Sequence, residues 1–180
     1  MTEADLETLR YPLGRFDPRD ELSPGDRREL IDRIAAFPEA FRAALDDLDD
    51  DQLDTPYRPD GWTLRQVAHH VPDSHLNAYV RFKLAVTEDR PTIRTYEQDE
   101  WSTLSDARSL PVGPSLDLLE ALHQRWTWWL RTLTEEQWAR RFVHPEFGEM
   151  GLDTLLQLYA WHGHHHLAHV TGLREREGWG

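Results

Sequence analysis

The segment YAWHGHHHLAHV, residues 159–170, places five histidines within twelve residues of a chain that has only ten. These are His162, His164, His165, His166 and His169. Apolar residues interrupt them and more sequence follows, so the segment is not a terminal purification tag. It is either a solvated polar stretch or a metal site, and the direction of each side chain decides between the two.

The helical projection of this segment separates the histidines into two groups. On a helix, which turns by about 100° per residue, His166 and His169 lie within about 40° of His162. His165 lies about 60° away, and His164 points to the opposite side. The leucines that share the face of His162 are Leu155, Leu158 and Leu173. Because this face is otherwise apolar, the solvated interpretation suits only His164.

Imidazoles gathered on one apolar face predict a metal site. A single histidine there is usually a hydrogen-bonded core residue, but several would each need a buried partner, and protonated rings repel one another. A divalent cation removes both problems by accepting a lone pair from each neutral ring. The i, i+4 spacing of His162 and His166 lets both rings reach one ion, as in the HExxH motif. Gly163 stands where that motif has its glutamate, so its hydrolytic mechanism is not predicted.

A third ligand has to come from another part of the chain. The candidates are His69, His70, His75, His123 and His144. In the segment HHVPDSHLNAYVRF, residues 69–82, His70 lies on one helical face with polar neighbours, among them Asp73, Asn77 and Arg81. His69 and His75 point elsewhere and are interpreted as packing or surface residues. His70 is therefore the preferred third ligand.

The composition excludes several classes of protein. A formal net charge of −13 argues against a nucleic-acid partner. Cysteine is absent, which leaves nitrogen and oxygen atoms as metal ligands and excludes a disulfide scaffold. The sequence has no signal-peptide pattern and no apolar run near the roughly 20 residues that span a bilayer. We therefore expect a cytoplasmic protein with no membrane association.

Four amphipathic segments predict an all-α four-helix bundle. We predict helices over residues 24–48, 62–87, 115–134 and 153–176, with weak strand signals elsewhere. Ser23 before Pro24 and Thr63 before Gln66 are typical helix starts. The long connection 89–113 predicts a crossover between the second and third helices. One domain, 1–180, is expected, with residues 1–22 as an N-terminal extension packed on the bundle.

Three segments together resemble the YfiT-type branch of the DinB superfamily. They are LRYPLGRF (9–16), GWTLRQVAHHVPDSHLNAYVRFKLAVTEDRPTI (61–93) and LYAWHGHHHLAHV (158–170). The resemblance implies a four-helix, metal-dependent hydrolase or bacillithiol S-transferase, a zinc or nickel ion and a homodimer. It places the ligands on His70, His162 and His166. The chain departs from the family at Pro72, where alanine is common, so a kink beside His70 is expected.

Three neutral nitrogens would leave a coordination position open, which is typical of a catalytic site. Water in that position would have its pKa lowered toward about 7, giving a hydrolase, whereas a thiol would be deprotonated, giving an S-transferase. Since no glutamate stands out as a base, we expect an S-transferase that uses a small bacillithiol-like thiol. Hydrolysis and a non-catalytic metal-binding role are the alternatives. No catalytic residue is assigned. Residues expected to bind the small-molecule substrate or support the ligands are Asp73, Asn77, Arg81 and His169.

Overall fold

Four long helices form the body of the protein in a computed structural model that describes residues 2–179. They are α2 (Pro24–Ala43), α4 (Leu64–Thr87), α7 (Gly113–Leu130) and α9 (Leu152–Glu177), which confirms the predicted four-helix bundle. The shorter helices are α1 (Glu3–Arg10), α3 (Asp50–Leu53), α5 (Gln98–Ser102), α6 (Ser105–Ser109) and α8 (Glu135–Trp138). Met1 and Gly180, the ends of the predicted 1–180 domain, lie outside the described residues.

The bundle does not place consecutive long helices side by side. Helices α2 and α4 each pack against both α7 and α9, so the helices follow one another around the bundle in the order α2, α7, α4, α9. The chain therefore crosses the bundle diagonally between α2 and α4. The connection from α4 to α7 contains α5 and α6, which pack on α4. This is the long crossover expected from the length of residues 89–113.

Side chains at the helix starts explain where α2 and α4 begin. Ser23 and Thr63 each accept a hydrogen bond from the backbone three residues on, and the side chains of Asp26 and Gln66 bond back to them. The helix start predicted at Thr63 is thus confirmed, and it is a capping box, in which cap and third residue bond to each other. Helix α9 ends at Gly178, whose φ of 70° is left-handed and suits glycine.

Two of the predicted helices were too long. Helix α2 ends at Ala43 instead of residue 48, because the chain turns and Asp49 caps the short helix α3. Helix α7 ends at Leu130 instead of residue 134, because Thr134 caps α8 in the same way. In both places a new N-terminal cap competes with continuation of the longer helix. The kink predicted at Pro72 does not interrupt α4, which is continuous through this proline, and α2 is likewise continuous through Pro38.

A small β-hairpin precedes α9 and was missed by the sequence analysis. Strands β1 (Arg141–His144) and β2 (Gly148–Gly151) pair antiparallel, with Phe142 opposite Met150. Phe142 is fully buried, and the Ile93 backbone N–H donates to the Val143 carbonyl oxygen at 3.0 Å, which ties the crossover connection to the hairpin. Strands of four residues are too short for their alternation to stand out in a sequence.

The core consists of two apolar clusters with histidines between them. One cluster contains Phe82 and Trp126, and the other contains Phe37 and Phe41. The ring of His75 lies 5.7 Å from that of Phe37 and 6.1 Å from that of Trp126, measured between centroids. The polar centre of the protein is therefore enclosed by apolar side chains on both sides. Within residues 2–179, no helix has the length and apolar character needed to cross a bilayer.

Candidate metal centre

The three histidines selected from the sequence meet inside the bundle. His70 comes from α4, and His162 and His166 come from successive turns of α9. One ring nitrogen of each lies within 4.8 Å of those of the other two, and Nε2 of His70 is 3.4 Å from Nε2 of His162. The centroid of the His166 ring lies 4.6 Å from that of His162 and 5.0 Å from that of His70. Two adjacent helices thus direct three imidazoles at one point.

Burial keeps these three rings neutral at neutral pH. It lowers the pKa of His70 to about 4. Burial, together with the neighbouring imidazoles, holds the pKa of His162 and of His166 well below the ordinary value. Neutral imidazoles offer lone pairs, and no carboxylate among the described residues belongs to the cluster. This donor set fits a divalent ion that accepts nitrogen ligands.

Close packing surrounds the three converging histidine rings. The Trp62 ring lies 4.6 Å from the His70 ring, measured between centroids. Between His162 and His166, a Cβ atom at Gly163 would lie only 3.1 Å from the Phe37 ring of α2. Glycine there lets α9 approach α2 closely, which explains why the sequence has no larger residue inside its i, i+4 histidine pair.

His169 supports His166 and has no ring nitrogen free to act as a fourth ligand. Its Nδ1 lies 3.4 Å from Nδ1 of His166, and its Nε2 lies 3.2 Å from the carbonyl oxygen of Arg10. The ring also stacks on Tyr57, with centroids 3.9 Å apart. Because the Arg10 carbonyl can only accept, Nε2 of His169 carries the proton and its Nδ1 accepts from His166. The Arg10 carbonyl of the N-terminal extension is thereby linked to His166 through the His169 ring.

The remaining two histidines of α9 lie outside the convergent group: His164 points away from it, whereas the His165 ring lies beside that of His166, with centroids 5.3 Å apart. Nδ1 of His164 lies 3.0 Å from the Ala160 carbonyl oxygen, as the predicted opposite direction requires. His164 is half-buried, with its ring centroid 5.9 Å from that of Phe37. Its side chain is therefore less exposed to solvent than predicted. His165 is buried and stacks on Trp161, with centroids 4.3 Å apart.

Two buried histidines outside the predicted ligand set are linked to it, His75 directly and His123 through His75. Nε2 of His75 lies 3.2 Å from Nδ1 of His162, and Nδ1 of His75 lies 2.7 Å from Nε2 of His123. His75 was interpreted as a packing or surface residue because it points away from His70 on α4. His70 and His75 nevertheless both contact His162, since that ring presents Nε2 to His70 and Nδ1 to His75. The helical projection of a single helix carries no signal for such a contact.

Two clefts open onto the centre, and His162 lines both. The larger, about 710 Å³, is also lined by Arg10, Arg58 and Arg108. The smaller, about 350 Å³, lies between Arg81 and Tyr159. The larger cleft sets its three arginines against two carboxylates, Asp60 and Asp99, whereas the smaller cleft sets Arg81 against three, Glu97, Asp99 and Glu146. Only the larger cleft therefore has a local excess of positive charge, which favours an anionic ligand there in a chain whose formal charge is −13.

The polar residues predicted around His70 divide into two groups. Arg81 lines the smaller cleft, and its Nε is buried without a hydrogen-bond partner among the described residues. Asp73 lines a small cavity with His70, and burial raises the pKa of Asp73 to about 6. Asn77 lines neither cleft, because its amide donates to the Asp73 carbonyl oxygen at 2.9 Å. The structure thus brings Asp73 and Arg81 toward the centre but leaves Asn77 on the helix surface.

Comparison with known proteins identifies closely similar chains. A sequence profile described as "DinB superfamily" matches residues 33–170. The protein named "Putative metal-dependent hydrolase YfiT" of Bacillus subtilis (strain 168) is 47% identical over 172 residues, which are 95% of this chain and 97% of that protein. A protein named "Putative metal-dependent hydrolase" from Bacillus cereus (strain 03BB102) is 48% identical over 174 residues, 97% of this chain and all of that one (100%).

Solved structures show the same likeness in three dimensions. One is described by the words "YfiT from Bacillus subtilis is a probable metal-dependent hydrolase with an unusual four-helix bundle topology". It matches with a TM-score of 0.94 at 46% identity, over 96% of this chain and 99% of that one. The four-helix bundle protein TT2238 matches with a TM-score of 0.56 at 23% identity, over 81% and 98% of the two chains. The second match is a likeness of fold alone.

Proposed function

The chain belongs to the DinB superfamily, and on that basis we propose that it is a metal-dependent enzyme whose ion is held by His70, His162 and His166. The observation that carries this proposal is the convergence of three neutral ring nitrogens within 4.8 Å, beside two clefts. The names of the similar Bacillus proteins, which describe metal-dependent hydrolases, support it. When bound, a divalent ion supplies a Lewis acid with an open position, which lowers the pKa of a nearby water or thiol.

For the reaction, we favour transfer of a small, bacillithiol-like thiol to an electrophile. A carbon–sulfur bond forms, the leaving group departs from the electrophile, and the thiol proton passes to solvent. Three neutral ligands leave the charge of a divalent ion uncompensated, which favours an anionic sulfur at the centre. No carboxylate among the described residues joins the histidine cluster as an obvious base for water. The geometry therefore suits a nucleophile that needs no separate base.

Arg81 supports an anionic substrate or cosubstrate. Its Nε is buried without a hydrogen-bond partner among residues 2–179, although its Nη2 donates to the Arg94 carbonyl oxygen at 3.3 Å. A buried donor left unpaired costs about 1–3 kcal/mol, and a carboxylate in the cleft would satisfy it. Because Arg81 and His162 line the same cleft, an anion bound by Arg81 would lie beside the reacting centre.

Hydrolysis is the second candidate, and Asp73 favours it. Burial raises the pKa of Asp73 to about 6, and the residue shares a cavity with His70. A carboxyl group with such a pKa exchanges protons near neutral pH, as a general base for water must. Hydrolysis also agrees with the names of the Bacillus relatives.

One pair of assays distinguishes the two reactions. We expect the metal-loaded protein to conjugate monochlorobimane to one particular small thiol, with a rate that persists below the pKa of about 8.5 of a free thiol. Chelation of the ion should abolish the reaction. Cleavage of simple esters or amides without any thiol, and no conjugation with any thiol tried, would instead establish hydrolysis.

The Arg81→Ala variant tests the anionic cosubstrate. We expect its KM for an anionic thiol to rise by about tenfold or more, since a hydrogen bond to a charged group contributes about 1.5–3 kcal/mol. Its metal content should not change. Lys83→Ala is the matched control, because it removes the same charge from α4, where the Lys83 ammonium lies 3.5 Å from the Trp129 ring centroid. Equal KM values for Arg81→Ala and Lys83→Ala would contradict the role of Arg81.

The identity of the ion and the oligomeric state stay predictions of the sequence. Elemental analysis of the purified protein measures whether zinc or nickel is bound. Light scattering measures whether the protein is a homodimer.

A further inference from the structure

A line of hydrogen bonds runs through the middle of the bundle and ends at the candidate metal centre. It begins at the carbonyl oxygen of Ile34, which lies 2.7 Å from Nδ1 of His123. Nε2 of His123 lies 2.7 Å from Nδ1 of His75. Nε2 of His75 in turn lies 3.2 Å from Nδ1 of His162. Its four members come from α2, α7, α4 and α9, so each long helix contributes one residue. We call this line the histidine relay.

The Ile34 carbonyl determines which nitrogen carries the proton in every ring of the relay. A carbonyl oxygen only accepts, so Nδ1 of His123 must donate, and Nε2 of this neutral ring must accept. His75 then donates from Nδ1 and accepts at Nε2, and His162 has to donate from Nδ1. The proton of His162 is therefore on Nδ1, and the lone pair on its Nε2 faces His70, whose Nε2 is 3.4 Å away.

The opposite order of protons is unfavourable. It would bring the Nδ1 lone pair of His123 against the Ile34 carbonyl oxygen at 2.7 Å, and this repulsion would be strong because His123 is buried. His75 and His123 are almost completely buried, with 0% and 1% of their surfaces exposed. In the relay, all four ring nitrogens of His75 and His123 have a hydrogen-bond partner.

We propose that His75 and His123 are positioning residues, which hold His162 in the one tautomer and orientation that present its Nε2 to the ion. The proposal rests on the assignment of His162 as a ligand. Histidines that bind metals commonly donate their second nitrogen to a fixed acceptor, and loss of that acceptor weakens metal binding by about 10- to 100-fold. For His162 the acceptor is His75, whose tautomer is set in turn by His123 and the Ile34 carbonyl.

Simple packing is the competing explanation for the two buried rings. They stack on one another at an interplanar angle of 14°, and Phe37 lies against both. A phenyl ring could replace either imidazole if packing were their whole role. A side chain with one donor and one acceptor in the same order would be required if the relay were essential. Phenylalanine and glutamine substitutions therefore separate the two explanations.

The first experiment needs no variant. In the full-length, zinc-loaded protein with ¹⁵N-labelled histidine, we expect scalar couplings across hydrogen bonds from Nδ1 of His162 to Nε2 of His75, and from Nδ1 of His75 to Nε2 of His123. The ¹⁵N shifts should show protonated Nδ1 in His75 and His123. A proton on Nε2 of either ring would overturn the proposal.

The second experiment measures zinc affinity by competition with a chelator. We expect His75→Phe and His123→Phe to bind zinc about 10- to 100-fold more weakly. His75→Gln and His123→Gln should recover most of this loss, because a glutamine amide can donate and accept in the same order. His164→Phe, a change on α9 that faces away from the centre, should bind zinc as the unaltered protein does. Circular dichroism and thermal unfolding check that each variant is folded.

A parallel His162→Ala variant separates failure of the relay from failure of the centre. If His162→Ala retains its zinc, the proposed metal centre itself is wrong. If His162→Ala loses zinc while both phenylalanine variants bind it as tightly as the unaltered protein, the relay is wrong and the centre stands. Should a phenylalanine variant fail to fold, the couplings in the unaltered protein and the glutamine variants still decide the question.

Discussion

His162→Ala is expected to lose its bound metal, and His70→Ala and His166→Ala should behave in the same way. Each change removes one of only three nitrogens that converge within 4.8 Å. Within residues 2–179 there is no fourth member of the cluster to replace it. Because a direct ligand is removed, the loss of affinity should exceed the roughly 10- to 100-fold typical of supporting residues. Turnover that depends on the metal should disappear with it.

Elemental analysis after dialysis tests this expectation. His164→Ala is the matched control, because it makes the same substitution on the same helix but its ring contacts the Ala160 carbonyl oxygen instead of the centre. Metal content equal to that of the unaltered protein in His162→Ala would contradict the site. His169→Ala should lie in between, because His169 contacts His166 but does not converge on the ion.

The metal-free protein is expected to lose stability steeply in mild acid. The pKa values of all ten histidines lie below the ordinary value, with burial as the largest cause for each. Below pH 6.5, the ordinary value for histidine, the unfolded chain therefore binds more protons than the folded one. The free energy of unfolding must therefore decrease as the pH is lowered below 6.5, until the pKa values of the folded state are reached.

His123 gives the scale of the effect. Burial lowers its pKa from 6.5 to about 4, and hydrogen bonding to Ile34 only partly opposes this. A group with that shift reduces the free energy of unfolding by about 2 kcal/mol near pH 5. The other buried histidines act in the same direction, and a domain is typically stable by only about 5–15 kcal/mol. Asp73, with its pKa raised to about 6, acts in the opposite direction but is a single group.

Urea unfolding in the presence of a chelator, at several values of pH between about 8 and 5, measures this dependence. We expect little change above the ordinary histidine pKa and a steep decline below it. In His123→Gln one titrating group is removed, so the slope of the unfolding free energy against pH should be smaller by up to about 1.4 kcal/mol per pH unit. A free energy of unfolding that stayed constant down to about pH 5 would show that the histidines are not buried as neutral rings.

Much of the fold could be predicted because its determinants are local. The cap at Thr63 and the periodic apolar residues of each helix act within a few residues, so the existence of the four helices follows from the sequence. The ends of α2 and α7 were less predictable, because the caps at Asp49 and Thr134 compete with continuation of those helices. The β-hairpin could not be predicted because its strands are stabilised by contacts with the distant crossover connection.

The candidate site also has features that the local sequence determines and features that depend on tertiary packing. By itself, the sequence determined that His162 and His166 share a helix face, since their spacing alone decides it, and that His164 points away. The polar face of the second predicted helix made His70 the preferred third ligand, and the resemblance to a family pointed to the same residue. Only the tertiary structure decided that His75 contacts His162 and His123 contacts His75, and that Asn77 does not face the clefts. These contacts depend on the order α2, α7, α4, α9 around the bundle, which is set by the packing of whole helices and by no local pattern.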